Sequence, residues 1–329
     1  MSLATTHQGL QPTVTGYIGA PLSVYRLFLS VSTILYTIYL TCASNIGDII
    51  LSSLLFAVIN SSIAPRYSMG PARSINDVLA ALPYMFFWLW SNLFLFCLHN
   101  QKQPKTIAED RLNKPWRPIP AGRLTPRQAT KILYVMHPIC FLIAWYIGGF
   151  IPYIVLTSFH LWYNELDGAS NGIIKNIHNA VGIICFFVGP LEVATERSVI
   201  TGNTELRVWL ALLIAAFATT CHTQDFRDMK GDLAAGRRTI PLAFGNIQSR
   251  ILVAVAIAMW TPAASFLWGG LLKEGALACI AGAAVIGNLF LNRSTEGDIL
   301  SWKLWSIWVS GLVMIPFLKT RAERSTFVL

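Results

Sequence analysis

Three aspartates, Asp225, Asp228 and Asp232, follow a long apolar run at spacings of three and four residues. Positions i, i+3 and i+7 of a helix share one face, so the three carboxylates would point the same way. Carboxylates held this closely beside hydrocarbon repel one another, and a divalent cation between them removes the repulsion. The spacing therefore predicts a metal site. The alternative is a solvated helix end, in which Asp225, Arg227, Asp228 and Lys230 are ordinary surface charges.

A second polar segment also combines acids with cations. Glu109 and Asp110 are followed within fourteen residues by Lys114, Arg117 and Arg123. The same stretch contains Pro115, Pro118 and Pro120. Prolines stiffen the backbone and disfavour a helix. A carboxylate pair followed by fixed cations suits metal-bridged binding of a phosphorylated ligand, because arginine matches the geometry of phosphate oxygens.

The segment of the three aspartates ends in the same way. Gly236, Arg237, Arg238 and Thr239 follow Asp232 within seven residues. One such segment would be a weak indication of phosphate chemistry. Two of them on one side of a helical bundle form a stronger one.

Composition decides the environment of these segments. Hydrophobic residues make up 54% of the 329 residues, charged residues 12%, and the mean hydropathy is +0.53. A soluble domain has about 25% charged residues, so we expect an all-α, multi-pass membrane bundle. Apolar segments that could span a bilayer lie at 22–42, 46–64, 79–99, 130–149, 172–194, 206–222, 247–268, 275–291 and 303–318, with a shorter one at 150–164. About nine helices result, or ten if the first segment is an additional N-terminal helix.

The basic residues predict the orientation. Segments 100–131 and 223–250 together hold 13 of the 25 lysines and arginines, and four apolar segments separate them. The positive-inside rule places both on the cytosolic side, and the even number of spans agrees. We expect an endoplasmic reticulum protein whose two polar loops face the cytosol. The sequence has no soluble basic domain that would bind nucleic acid, and it implies no protein partner.

The cysteines and histidines predict no separate site. The six cysteines lie in or beside apolar runs without a close pair, so they read as small core residues. The six histidines form no cluster. His178 lies between Asn176 and Asn179 in a spanning segment, where a hydrogen-bonded structural role is expected.

Both polar segments resemble the signature loops of a known family. The run Glu109-Asp-Arg-Leu-Asn-Lys-Pro-Trp-Arg-Pro-Ile-Pro-Ala-Gly-Arg123, together with Gln224-Asp-Phe-Arg-Asp-Met-Lys-Gly-Asp232 and Gly236-Arg-Arg-Thr-Ile-Pro241, is similar to the loops of the UbiA superfamily of intramembrane prenyltransferases. The resemblance implies a nine-helix bundle, Mg²⁺ held by acids of both motifs, an isoprenyl diphosphate substrate in an apolar cavity, and carbocation chemistry. It also implies an N-terminal tail at 1–21, an additional helix at 22–45, a bundle at 46–320 with catalytic loops 100–127 and 223–246, and a C-terminal tail at 321–329.

The first motif departs from the pattern Asn-Asp-x-x-Asp-x-x-x-Asp of that superfamily. When the last aspartate of the pattern is aligned with Asp110, the other three positions are occupied by Lys102, Gln103 and Thr106. Only Asp110, beside Glu109, stays acidic. This pattern resembles the fungal branch that includes membrane-bound terpene cyclases, among them cyathane-type diterpene cyclases.

The resemblance assigns roles to particular residues. It implies Mg²⁺ ligands at Asp110, Asp225, Asp228 and Asp232, with Glu109 and Gln103 as auxiliary ligands. It implies diphosphate contacts at Lys114, Arg117, Arg123, Lys230 and Arg237. Aromatic side chains that could stabilise a carbocation are Phe86, Phe87, Trp90, Phe94, Tyr163, Phe186, Phe187 and Phe217.

The fate of the carbocation separates the alternatives. A cyclase closes the cation onto its own double bonds, and the departure in the first motif favours this reading, with geranylgeranyl diphosphate as the first choice of substrate. A prenyltransferase passes the cation to an aromatic acceptor. A transporter of phosphorylated metabolites is a third alternative, but it would require internal repeats with interrupted helices, and the sequence contains no convincing repeat.

Overall fold

The computed structural model describes residues 22–269 and 273–326, and these residues are almost entirely helical. The α-helices are α1 (Leu22–Cys42), α2 (Ser52–Ser61), α3 (Ile75–Gln101), α4 (Pro104–Asn113), α5 (Pro126–Ile147), α6 (Phe150–Asn164), α7 (Gly172–Thr195), α8 (Thr204–Thr220), α9 (Asp225–Ala234), α10 (Ile240–Phe244), α11 (Asn246–Leu267), α12 (Ala276–Leu291) and α13 (Thr295–Thr326). The expected N-terminal tail at 1–21 lies outside the described residues. The described part of the expected C-terminal tail, 321–326, continues α13.

Seven helical runs within the described residues are long and apolar enough to cross a membrane. They are Ser30–Ser61, Ile75–Gln101, Pro126–Ile147, Gly172–Thr195, Thr204–Ala234, Asn246–Leu267 and Thr295–Ser325. α12 is a shorter apolar helix. The all-α, multi-pass membrane architecture is thus confirmed, whereas the count of nine helices stays a prediction. The expected segments 22–42 and 46–64 belong to the same helical run, because a 3₁₀ turn and a π-helix continue it from α1 to α2.

The chain divides into two compact units, residues 1–39 and residues 40–329. The described part of the first unit is the beginning of α1. In the second unit, α7 packs against α2, α3, α6 and α8. From α8 the contacts continue through α11, α12 and α13 and return to α2, while α5 packs on α3. α7 therefore lies at the centre of this unit, and 72% of an 18-residue apolar stretch of this helix is buried.

Close packing of α3 on α7 depends on a glycine. The Trp88 side chain is fully buried, and a Cβ built on Gly189 would lie 2.1 Å from its Cη2 atom. No larger residue fits at this contact. Small residues serve the same purpose in many membrane bundles, where they allow neighbouring helices to approach.

The two polar segments meet on one side of the bundle, because α4 contacts α9. This agrees with the even number of spans between them. The proline-containing stretch after Asn113 is not helical, as predicted, and it ends at Thr125. Thr125 begins α5 with a capping box, in which its side chain accepts from the Gln128 backbone N–H while the Gln128 side chain accepts from the Thr125 backbone N–H.

Candidate active site

The three aspartates lie on α9, and two of them are completely buried. Asp225 and Asp232 are 0% exposed, while Asp228 is partly exposed. A solvated helix end is therefore wrong for Asp225 and Asp232. Buried carboxylates need partners because burial without compensation is very costly.

Lys175 and Arg237 are the partners of the buried aspartates. Lys175 Nζ lies 2.8 Å from Asp225 Oδ1 and 3.8 Å from Asp232 Oδ2. Arg237 Nη1 lies 3.2 Å from Asp232 Oδ1. Lys175 is located in the first turn of α7, so the central helix of the bundle contributes directly to the site.

Asp228 pairs with cations from both polar segments. Lys114 Nζ lies 3.7 Å from Asp228 Oδ2, and Arg227 Nε lies 3.6 Å from the same oxygen. Burial lowers the pKa of the Lys114 ammonium below its ordinary value, although the Asp228 carboxylate opposes the shift. Lys114 thus links the loop after α4 to α9.

The acids of α4 are buried and paired as well. Arg237 donates to Glu109 and also to the Thr106 hydroxyl, at 2.9 Å. Burial acts to lower the pKa of the Arg237 guanidinium, but Glu109 and Asp232 more than offset it, so that this pKa lies above its ordinary value. Arg237 therefore joins both polar segments in one network.

Asp110 is held by Arg117. Arg117 Nη1 donates to both Asp110 oxygens, at 2.9 and 3.0 Å, and Nη2 donates to the Ser44 hydroxyl at 2.7 Å. Burial raises the pKa of the Asp110 carboxyl above its ordinary value, and the Arg117 guanidinium opposes the shift. Asp110 lies outside the lining of the cavity described next, whereas Arg117 and Glu109 are part of it.

A single cavity lies against both polar segments, with a volume of about 1140 Å³ including its open mouth. Its charged lining consists of Asp48, Glu109, Lys114, Arg117, Lys175, Arg227, Asp228 and Arg237. On α7 the lining extends from Lys175 to Phe186. Eleven residues correspond to about 16 Å at the rise of an α-helix. The cavity therefore leads from the charged loops deep into the bundle.

Rings form a large part of the uncharged lining of the cavity. They belong to Phe96, Phe159, His160, Tyr163, His178, Phe186 and Trp302. Among the aromatic candidates from the sequence, Tyr163 and Phe186 line the cavity. Phe86 and Phe87 are exposed on α3, whereas Phe187 and Phe217 are buried in the core. Trp90 and Phe94 also lie outside the lining.

Asp48 is an acid within the cavity that the sequence analysis did not single out. A π-helix, Ile46–Leu51, presents it, and π-helical turns are frequent at functional sites. Asp48 Oδ2 accepts from Trp302 Nε1 at 2.6 Å, and Oδ1 accepts from the Ser306 hydroxyl at 3.3 Å. The sequence does contain an indication of its role, because an aspartate within an apolar segment usually has a function.

The expected diphosphate contacts differ in their placement. Lys114, Arg117 and Arg237 line the cavity, but Arg123 and Lys230 are exposed and lie outside the lining. Gln103, the N-cap residue of α4, is half-buried and also outside the lining. The structure adds Lys175 and Arg227 to the cavity. The sequence contains an indication of the role of Lys175, because a lysine in an apolar spanning segment usually has a function.

The acids fit Mg²⁺, which prefers oxygen ligands. Two buried carboxylate oxygens, Asp225 Oδ2 and Asp232 Oδ2, have no hydrogen-bond partner among the described residues. Within that part of the chain no three acidic, histidine or cysteine side chains already form a metal cluster. Each acid is instead turned towards a cation, so metal binding requires the ion pairs to exchange partners.

Comparison with known proteins agrees with this geometry. The profile of the UbiA prenyltransferase family matches residues 106–308. The chain is 30% identical to the fumagillin beta-trans-bergamotene synthase of Aspergillus fumigatus over 77% of this chain and 89% of that protein. It is 26% identical to the diterpene cyclase eriG of Hericium erinaceus over 59% and 63% of the two chains. It is 28% identical to the polyprenyl transferase eriF of the same fungus over 71% and 82%.

Solved structures share the fold. A structure described as digeranylgeranylglyceryl phosphate synthase in membranes superposes with a TM-score of 0.55 at 17% identity and covers 86% of this chain and 98% of that one. A UbiA homolog from Archaeoglobus fulgidus bound to GPP and Mg²⁺ superposes with a TM-score of 0.53 at 12% identity, covering 82% and 98%.

Proposed function

The chain belongs to the UbiA prenyltransferase family, and we propose that it is a membrane-bound terpene cyclase within that family. It would ionise an isoprenyl diphosphate and close the carbocation onto the double bonds of the same molecule. The observation that carries the proposal is the single cavity, in which charged groups of both polar segments continue into a lining of aromatic rings. Two of the relatives described above are a synthase and a cyclase of terpenes.

The cations of the cavity suit the first step. When the allylic C–O bond breaks, its electron pair stays on the departing diphosphate, whose negative charge increases. Lys114, Arg117, Lys175, Arg227 and Arg237 line the cavity and can stabilise that charge. Fixed charges in a site shielded from water stabilise such a transition state strongly.

The acids suit a divalent cation. Bound Mg²⁺ would supply Lewis-acid stabilisation of the leaving diphosphate. Asp225, Asp228 and Asp232 would hold it, with Glu109, Asp110 and Gln103 contributing from the other segment. The two buried oxygens without hydrogen bonds, on Asp225 and Asp232, support this assignment.

The rings suit the second step. An internal double bond of the isoprenoid attacks the cationic carbon, a C–C bond forms, and the positive charge moves to another carbon. π faces stabilise a cation, and an aromatic wall keeps water away from it. Phe96, Phe159, Tyr163, Phe186 and Trp302 provide these faces within the cavity.

Transfer to an aromatic acceptor is the second candidate function. The cavity also contains the amides of Asn45, Asn100, Asn179 and Gln224, which could orient a phenol. A relative named as a polyprenyl transferase supports this alternative. Membership of an enzyme family weighs against the transporter.

Incubation without an acceptor separates the two functions. The purified protein would receive Mg²⁺ and, in turn, C10, C15 and C20 diphosphates, with geranylgeranyl diphosphate as the first choice. A cyclase forms cyclic hydrocarbon and diphosphate at a rate that phenolic acceptors do not change, because the substrate supplies its own nucleophile. Negligible diphosphate release until an acceptor is added, with all three chain lengths, would favour the transferase.

The proposed location follows from the charges. Both basic segments of this multi-pass membrane protein contribute to the charged lining of the cavity, and the positive-inside rule would turn their side to the cytosol. We place it in the endoplasmic reticulum membrane. Labelling of a cysteine introduced at exposed Lys230 in intact microsomes would test the orientation, because a cytosolic site reacts with an impermeant reagent.

A further inference from the structure

We propose that His178 is the base that removes the last proton from the cyclised carbocation, with Nε2 as the accepting atom. This inference rests on the proposed cyclase function. It assigns the terminating step to one side chain of the cavity.

A hydrogen bond fixes the tautomer of His178. Its Nδ1 lies 2.8 Å from the carbonyl oxygen of Ile174, one turn earlier on α7. A carbonyl oxygen can only accept, so Nδ1 carries the proton of the neutral ring and Nε2 carries the lone pair. The backbone of α7 thereby directs the basic nitrogen away from itself.

The lone pair has no hydrogen-bond partner among the described residues. Nε2 is buried and makes no hydrogen bond to any described residue, although His178 is only 4% exposed. The side chain lines the cavity, where rings of Phe159 and Tyr163 lie 5.1 and 5.8 Å from the imidazole, centroid to centroid. A buried nitrogen without a partner costs free energy, and such an atom in a native structure suggests a functional role.

The chemistry of the last step requires such an atom. A C–H bond next to the cationic carbon breaks, its electron pair becomes the new C=C bond, and the proton moves to Nε2. The hydrocarbon leaves neutral and His178 becomes an imidazolium. Loss of this proton to water restores the neutral ring.

Two other side chains of the cavity could compete for the proton. Asp48 is already bound through both oxygens, to Trp302 and Ser306. His160 has a buried Nδ1 without a hydrogen bond to any described residue, so nothing there fixes which nitrogen is basic. Of these three, His178 combines a fixed tautomer with a lone pair that has no hydrogen bond to a described residue.

Asparagine is the appropriate replacement for His178. In this protein Asn60, Asn92 and Asn164 each donate their amide to the carbonyl four residues earlier, at 2.9, 2.8 and 3.0 Å. His178→Asn can therefore keep the bond to Ile174 while it removes the base. His178→Gln, which also lacks a base, is the second variant in case the first does not fold.

The control alters the surroundings of the imidazole without removing it. The Trp162 ring lies 4.3 Å from the His178 ring, and Trp162 is 45% exposed and outside the cavity lining. Trp162→Phe should yield the same hydrocarbons as the parent.

The experiment measures diphosphate release and the product pattern together, with Mg²⁺ and the best isoprenyl diphosphate. For His178→Asn and His178→Gln we expect that, per diphosphate released, the share of the main hydrocarbon falls at least about fivefold in favour of alcohols and isomeric alkenes, because a positioned base no longer selects the proton.

Three outcomes would overturn the assignment. If the parent cyclises, unchanged products from both His178 variants would refute the role of His178 and leave the cyclase function standing. A shift caused by His160→Asn or Asp48→Asn and not by the His178 variants would do the same. A parent that forms no hydrocarbon without an acceptor would refute the cyclase, and the base with it.

Discussion

At the scale of residues, the site consists of acids and cations that satisfy one another. The five acids are Glu109, Asp110, Asp225, Asp228 and Asp232, and the five cations are Lys114, Arg117, Lys175, Arg227 and Arg237. Each acid has at least one cation within 4.0 Å. The protein can bury these charges near an apolar cavity because none of the acids is left alone.

The first prediction concerns Asp228, the aspartate of α9 that lines the cavity. Asp228→Asn keeps the shape of the side chain and removes its charge, so turnover should fall by about a hundredfold or more, the typical loss of one strong electrostatic stabiliser. Initial rates of diphosphate release at saturating substrate measure it. Asp167→Asn is the matched control, because Asp167 is exposed and pairs with Lys105 outside the cavity. Equal rates for the two variants would exclude Asp228 as a ligand.

The second prediction separates the acid of the first motif from its neighbour. Asp110→Asn should abolish ionisation, because the variant loses a possible metal ligand and also the anchor of Arg117, which lines the cavity. Thr106→Ala removes one hydrogen bond that Arg237 donates to a hydroxyl, while Arg237 keeps its ion pairs with Glu109 and Asp232, so the loss should be about tenfold or less. Single-turnover assays compare the two. Similar losses would mean that the alignment of the first motif is in the wrong register.

Sequence reasoning at this scale located part of the charged lining of the cavity, since Lys114, Arg117 and Arg237 line it and Arg123 and Lys230 do not. The acids and Lys114, Arg117 and Arg237 were predicted because acids and cations at short spacings suggest one chemistry. Asp48, Lys175 and His178 lie in apolar helices, where the sequence does not fix which way a side chain turns about the helix axis. Their contribution became visible only when the π-helix, α3, α6, α7 and α13 were packed around the cavity.

At the scale of elements, the contact of α4 with α9 builds the site. Gly231 makes this contact close: a Cβ at its position would lie 2.3 Å from Asn113 Nδ2 and 2.9 Å from Glu109 Cγ. Both neighbours are side chains of α4, and Glu109 lines the cavity. The absence of a side chain at 231 therefore sets the position of a site residue.

The third prediction follows from this contact. Gly231→Ala should displace Glu109 and lower turnover by about tenfold to a hundredfold, because displacements near 1 Å have effects of this size. The amount of folded protein in membranes should change little, since the displaced atoms belong to side chains. Gly287→Ala in α12 is the control, because a Cβ there meets nothing within 4 Å. Activity that survives Gly231→Ala would show that α4 adjusts without cost to catalysis.

The sequence predicted long elements better than short ones. Apolar length alone located α7 (Gly172–Thr195) within a residue of the predicted 172–194, whereas α13 (Thr295–Thr326) extends well beyond both ends of the predicted 303–318. α4 was not predicted, because its ten residues are polar and lie next to prolines. The π-helix that presents Asp48 has no sequence signature, since its extra residue per turn reflects packing around it.

At the scale of the whole molecule, binding of metal and diphosphate should be mutually dependent. Mg²⁺ alone would need carboxylates that are engaged with lysines and arginines, and diphosphate alone would need cations that are engaged with carboxylates. With both bound, the carboxylates would turn to the metal and the cations to the phosphate oxygens. Each ligand therefore lowers the free energy that the other must supply, which is a positive coupling.

The last prediction measures this coupling with inorganic diphosphate, which enters the charged part of the site without an isoprenoid. Either ligand alone should raise the unfolding temperature of the detergent-solubilised protein by less than about 1 °C, and both together by about 3 °C or more, because a ligand that binds only the folded state stabilises it. Asp228→Asn should lose the additional rise, while Asp167→Asn should keep it. A full rise with Mg²⁺ alone would contradict the prediction, because it would mean that the carboxylates hold metal without first releasing their cations to a phosphate group.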